Sequence, residues 1–155
     1  MDSSENRQLA AITFIDIADF SELMHHDEAK AVHLLSLQKD IIYPIISSYN
    51  GKILKEMGDG LLVSFISAIQ AVKCSIEIQS KIEYIDNLNY RIGIHVGDVI
   101  IIEEDVFGDG VNIASRIQEI CKVGDVCISK TVYDAIISHP EMKCTSLGER
   151  ELKGI

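Results

Sequence analysis

The stretch from residue 52 to residue 65 constrains this chain most. Two short strand-like segments, 52–57 and 61–65, are separated only by Gly58-Asp59-Gly60. A connection that short leaves the chain little choice but to reverse, so an antiparallel hairpin is expected there. On its N-terminal side a helical pattern runs from about 27 to 48, apolar at Ala31, Leu34, Leu35, Leu37, Ile41, Ile42, Ile45 and Ile46. Asp27 is placed to cap that helix, and Pro44 is expected to kink it or loosen one turn. Before it, residues 10–17 read as a strand carrying an acid, Asp16, near its end. After the hairpin come a helix over about 67–84 and two strands, 90–95 and 99–102, divided by Gly97. A short strand over 105–107, a helix over 111–121, a strand over 126–129, a helix over 130–138 and one or two weak strands over 142–153 follow. This order predicts an α+β domain: a ferredoxin-like βαββαβ core with a C-terminal α/β extension. The sheet is expected to be antiparallel-rich, with the helices packed on one face. Residues 1–8 are expected to form a flexible lead-in and 9–155 one domain.

Composition narrows the partners. The chain has 155 residues, with 14 Lys+Arg against 24 Asp+Glu, a net charge of −10. Nucleic-acid backbones are bound by clustered cations, so such a partner is excluded, and so is attraction to an anionic membrane surface. A small phosphate-bearing ligand is not excluded, because a bound metal ion reverses the local field. No apolar stretch approaches the length that spans a bilayer, and the first residues, MDSSEN, are polar and acidic, unlike a secretory leader. Cys74, Cys121, Cys127 and Cys144 lack C-x-x-C spacing, so reduced, mostly buried thiols of a cytoplasmic protein are expected.

Two acids stand out by position. Gly-Asp-Gly alone is an ordinary turn, and on spacing alone Asp59 carries no further meaning. Asp16 is harder to explain, because it lies in the apolar run Phe14-Ile15-Asp16-Ile17 and an uncompensated buried carboxylate is costly. If the first strand and the hairpin are sheet neighbours, both carboxylates emerge at the same end. Two hard oxygen donors there would suit Mg²⁺ or Mn²⁺ carrying a substrate phosphate.

Five segments, in order, resemble the class III nucleotidyl cyclase catalytic domain. Residues 14–21, FIDIADFS, resemble its first metal-binding motif, and 55–60, KEMGDG, the second on its hairpin. Residues 91–97, RIGIHVG, resemble the strand before the base and transition-state segment, which 105–116, DVFGDGVNIASR, resemble in turn. Leu152-Lys153-Gly154 resembles the late motif whose lysine contacts the triphosphate. Each is weak alone; the ordered set is specific.

The resemblance implies roles. Asp16, Asp59 and the backbone carbonyl of Ile17 would hold two divalent metal ions, Mg²⁺ or Mn²⁺. Asn112 would orient the ribose, Arg116 would stabilise the α-phosphate in the transition state, and Lys153 would neutralise the leaving pyrophosphate. Lys55 and Asp105 would read the base. Lys55 only donates and ionised Asp105 only accepts, which matches N1 and the 6-amino group of adenine and mismatches guanine at both. In the family's guanylate cyclases an acid stands at the Lys55 position and a small polar residue at that of Asp105. Metal and base residues come from different subunits in this family, so a head-to-tail homodimer with two shared sites is implied, and ATP as substrate. Such domains are usually joined to a regulatory domain, and a cytoplasmic location is expected. Asp19 adds a third acid beside the metal loop. The 98–105 segment is shorter than the clasping arm of many relatives. The family usually continues beyond Lys153 with another strand, which is expected to be missing here. Alternatives are a catalytically silent cyclase-like domain that binds nucleotide or regulates a partner, a guanylate cyclase, or an unrelated ferredoxin-like binding module.

Overall fold

The computed structural model describes residues 7–103 and 105–142. In chain order they form β1 (Arg7–Ile17), α1 (Phe20–His26), α2 (Glu28–Ser48), β2 (Lys52–Met57), β3 (Gly60–Phe65), α3 (Ala68–Lys81), β4 (Tyr90–Ile102), β5 (Asp105–Phe107), α4 (Asp109–Ile120), β6 (Val126–Ile128) and α5 (Lys130–Ile136). The sheet order is β2-β3-β1-β4-β5, all antiparallel, with β6 added parallel to β4. The expected α+β fold and ferredoxin-like core are therefore present. The expected tail strands, and with them Cys144 and Lys153, lie outside the described residues. Among the described residues, no helix is long and apolar enough to cross a membrane.

Local rules account for most boundaries. Asp27 caps α2 by accepting from Lys30 N–H at 3.1 Å, and Ser67 caps α3 by accepting from Gln70 N–H at 3.4 Å. α2 does not end at Pro44 but continues to Ser48. Ile42, Ile45 and Ile46 dock on both sides of the proline and are buried, which offsets the lost hydrogen bond. α1 has only seven residues, too few for a helical period to show in the sequence; buried Phe20 anchors it. β1 begins at Arg7, pairing with Ile100, so part of the expected lead-in is strand.

Two expectations need correction. The helices do not share one face. Ala11, Ile15 and Ile17 of β1 join Leu34, Ile42 and Ile46 of α2, Cys74 and Ile78 of α3 and Val132 of α5 in one core. On the opposite face Ala10 and Ile12 pack with Leu62, Val99, Val106 and Ala114 of α4. A strand buried on both faces is apolar without alternation, and AAITFI is such a run. Nor does Gly97 divide a pair of strands: β4 runs unbroken, in register with β1 from Tyr90 to Ile100. Its glycines admit α4 instead. A methyl group at Gly93 would collide with the Gln118 backbone, and one at Gly97 would sit 3.4 Å from the Gly110 Cα.

Candidate active site

The antiparallel register of β1 with β3, Ile15 opposite Leu61, carries Asp16 to the hairpin turn. A methyl group at Gly60 would lie 4.0 Å from the Asp16 Cβ. Gly58 supplies the left-handed backbone (φ 65°) that the turn needs. Asp59 then folds back, and its Oδ2 accepts the Ile17 N–H at 2.8 Å. Asp16 keeps one buried oxygen, Oδ1, without a hydrogen-bond partner.

The electrostatics follow from this crowding. Burial pushes the Asp16 carboxyl up to about 6, the Asp59 charge adds to it, and Glu119 contributes less. Arg91, opposite Asp16 in the β1–β4 register, and the Gln118 side chain pull the other way. Burial also raises Asp59, against the Ile17 hydrogen bond. Two half-buried carboxylates that repel each other, one with an orphaned oxygen, form a donor set that fits a hard divalent cation. Among the described residues no three or more His, Cys, Asp or Glu side chains converge as a metal site. Asp19, the third acid, is exposed, holds a left-handed backbone (φ 60°) and makes no side-chain cap bond to α1.

A stability consequence follows for the cation-free chain. The Asp16 proton is held more tightly folded than unfolded, so charging Asp16 disfavours folding. That penalty is absent below pH 3.8, grows to about pH 6 and is complete above it. Asp16→Asn removes it and is expected to stabilise the protein at pH 7 in EDTA by about 1–3 kcal/mol, with the gain gone near pH 4. Thermal melts at the two pH values test this. A lower melting temperature for the variant at pH 7 would contradict the account.

The second cluster forms across the sheet. β2 and β5 lie at opposite ends of the strand order, yet sheet twist brings them into contact. The register of β2 slips between Ile53 and Lys55, a bulge at Leu54. Leu54 packs in the same apolar cluster as Val106 of β5. Lys55 Nζ and Asp105 Oδ1 meet at 3.4 Å, each side chain about half exposed (47% and 48%). Asp105 Oδ1 also accepts the Val106 N–H at 2.9 Å. A pair this exposed contributes at most about 1 kcal/mol to stability, so its pairing is not needed to hold the fold.

Asn112 and Arg116 stand one turn apart on one side of α4. Asn112 is exposed, and Arg116 Nη1 donates to Glu119 Oε1 at 2.9 Å. Gly108 (φ 128°) lets α4 start against β4, since a methyl group there would lie 3.0 Å from the Asp98 carbonyl oxygen.

The chain thus joins Asp16, Asp59 and the Ile17 backbone in one group and Lys55 with Asp105 in another. Among the described residues Asp59, Arg91 and Glu119 act on the Asp16 charge, and Glu119 is also the ion-pair partner of Arg116. Arg91, Gln118 and Glu119 are neighbours of the acid pair that the sequence reading did not single out. Their only sequence signal is that Arg91 and Gln118 interrupt apolar patterns.

Comparison with known proteins agrees with this architecture. The profile of the adenylate and guanylate cyclase catalytic domain matches residues 3–155. A putative adenylate cyclase 3 from Rhizobium meliloti (strain 1021) is 33% identical over 161 residues, covering 98% of this chain and 27% of that protein. The chain therefore spans about a quarter of that curated relative. The solved adenylate/guanylate cyclase/hydrolase from Silicibacter pomeroyi is 34% identical with a TM-score of 0.88, covering 96% of this chain and 91% of that one. The adenylyl cyclase CyaB from P. aeruginosa is 25% identical with a TM-score of 0.86, covering 96% and 89%. With the matching profile spanning nearly its whole length, this chain belongs to the class III adenylate and guanylate cyclase catalytic domain family.

Proposed function

We propose that the chain is an adenylate cyclase catalytic domain that converts ATP to 3′,5′-cyclic AMP and pyrophosphate in sites shared by a head-to-tail homodimer. The observation that carries the choice of base is the meeting of Lys55 and Asp105 at 3.4 Å. One donor-only and one acceptor-only side chain, side by side and reachable from solvent, complement the adenine edge. Guanine would face donor with donor and acceptor with acceptor.

Asp16 and Asp59, with the Ile17 carbonyl, would hold two divalent cations, Mg²⁺ or Mn²⁺. When bound, these would acidify the ribose 3′-hydroxyl and neutralise the β- and γ-phosphates. Asn112 orients the ribose so that the 3′-oxygen lies in line with the scissile bond. Arg116 meets the charge that builds on the α-phosphate as the bond to the leaving oxygen breaks. Lys153 neutralises pyrophosphate; it lies outside the described residues. Arg116 is bonded to Glu119 of its own chain, and no hydrogen bond or ion pair among the described residues joins it to the acid pair. The family resemblance, in which metal and transition-state residues come from different subunits, supports a site completed by a second copy. An ATP substrate fits a cytoplasmic domain, and the greater length of the Rhizobium meliloti relative supports attachment to a regulatory segment.

The test is an assay of the purified chain with ATP and with GTP, each with Mn²⁺ and with Mg²⁺, at rising protein concentration. Cyclic AMP from ATP is expected, with at least tenfold less cyclic GMP from GTP, as two mismatched contacts require. Specific activity is expected to climb with concentration as dimers form. No cyclic nucleotide under any condition would sink the enzyme reading and favour a silent nucleotide-binding domain. Dominant cyclic GMP would overturn the base assignment.

A further inference from the structure

Beneath the hairpin turn lies a polar chain that nothing in the proposed chemistry uses. Gln38 belongs to the apolar face of α2, between Leu34 and Ile42, and is only 3% exposed. Its Nε2 donates to the Asp59 backbone carbonyl at 3.4 Å, and its Oε1 accepts the hydroxyl proton of fully buried Tyr90 at 2.7 Å. Tyr90 opens β4 directly opposite Ile17, whose N–H holds the Asp59 carboxylate. One residue of β4 therefore flanks both ends of the Asp59 turn, by its backbone at Ile17 and through Gln38 at the Asp59 carbonyl.

We propose that Gln38 and Tyr90 are positioning residues that fix the Asp59 turn and so preset its carboxylate for a divalent cation. A buried amide among leucine and isoleucine side chains is costly unless both its ends are bonded. Both are bonded here, and one of the two partners is the backbone of a proposed ligand. With its backbone carbonyl bonded to Gln38 and its Oδ2 bonded to the Ile17 N–H, Asp59 is tethered at main chain and side chain before any ion arrives. Residues that orient ligands in this way alter metal affinity about 10- to 100-fold when replaced. The claim about the cation rests on the cyclase reading; the claim about the turn does not.

The experiment uses the full chain with Gln38→Met, which keeps the volume and loses the bonds, and Tyr90→Phe, which removes one hydroxyl. Amide exchange by NMR reads the turn: Ile17 N–H is expected to exchange about tenfold faster in both variants while Ile15 N–H, in the same strand, changes far less. Mn²⁺ affinity, read by water-proton relaxation with Asp59→Ala as the zero level, is expected to weaken about tenfold. Unchanged Ile17 exchange, or Ile15 and Ile17 accelerating together, would overturn the positioning role and leave ordinary core packing. Selective loss at Ile17 with unchanged Mn²⁺ affinity would overturn the link to the cation. Absence of any Asp59-dependent Mn²⁺ binding in the unaltered chain would count against the cyclase reading, and the amide data would still decide the role of the relay.

Discussion

Asp59→Ala and Arg116→Ala chains, each inactive alone, are expected to regain about a quarter of unaltered activity when mixed in equal amounts, because a two-fold dimer carries two equivalent sites. Random exchange makes half of the dimers mixed. In each mixed dimer one site combines an intact Asp59 with an intact Arg116, and the other combines both defects. Each single variant has the same defect in both sites. Removing one donor that meets transition-state charge costs about 10²–10³ in kcat, so recovery stands well above the background. Arg116 is held by Glu119 of its own chain and makes no direct bond to Asp16 or Asp59 among the described residues, which motivates the experiment. A mixture as inactive as either variant would rule out the shared site. So would full activity of a monomer isolated by size.

Lys55→Ala is expected to lower kcat/KM for ATP by about 10- to 100-fold, since Asp105 would lose its cation and adenine N1 its donor. GTP turnover should not fall in parallel, because Lys55 opposes guanine. Lys55→Glu combined with Asp105→Ser should then invert the preference, as the new carboxylate accepts from guanine N1–H while the serine donates to O6. Both positions are about half exposed, so melting temperatures should hardly move. Measuring kcat/KM for ATP and GTP in each variant decides the matter. An ATP-to-GTP ratio that ignores all three substitutions would remove these residues from base recognition.

Much of the fold could be read from local signals. Gly58-Asp59-Gly60 reverses the chain as its turn chemistry requires, and Asp27 caps α2 through its own side chain. The misreadings share a cause. Gly97 looks like a breaker in one dimension, but its missing side chain serves the approach of Gly110, which lies thirteen positions on. The face occupied by α4 was invisible because a strand apolar on both sides says only that it is covered twice. In the candidate site only Asp16 stood out by itself, as an acid in an apolar run; Asp59 sits in an ordinary Gly-Asp-Gly turn and gained meaning only from the family resemblance. Gln38 did not stand out, because a single amide in an apolar stripe reads the same whether it bonds to water, to its own helix or to a distant turn.

The sequence alone determined the longer elements, the hairpin and the family to which the segments point, because propensity, periodicity and turn chemistry act over a few residues; the short α1 and the unbroken β4 it did not show. Only the tertiary structure decided that Asp59 closes on the Ile17 amide, that Lys55 reaches Asp105 across fifty positions, and that Tyr90 and Gln38 support the turn from below. Those contacts depend on strand register and sheet twist. Both arise from packing the whole core at once, so neither is encoded near the residues it brings together.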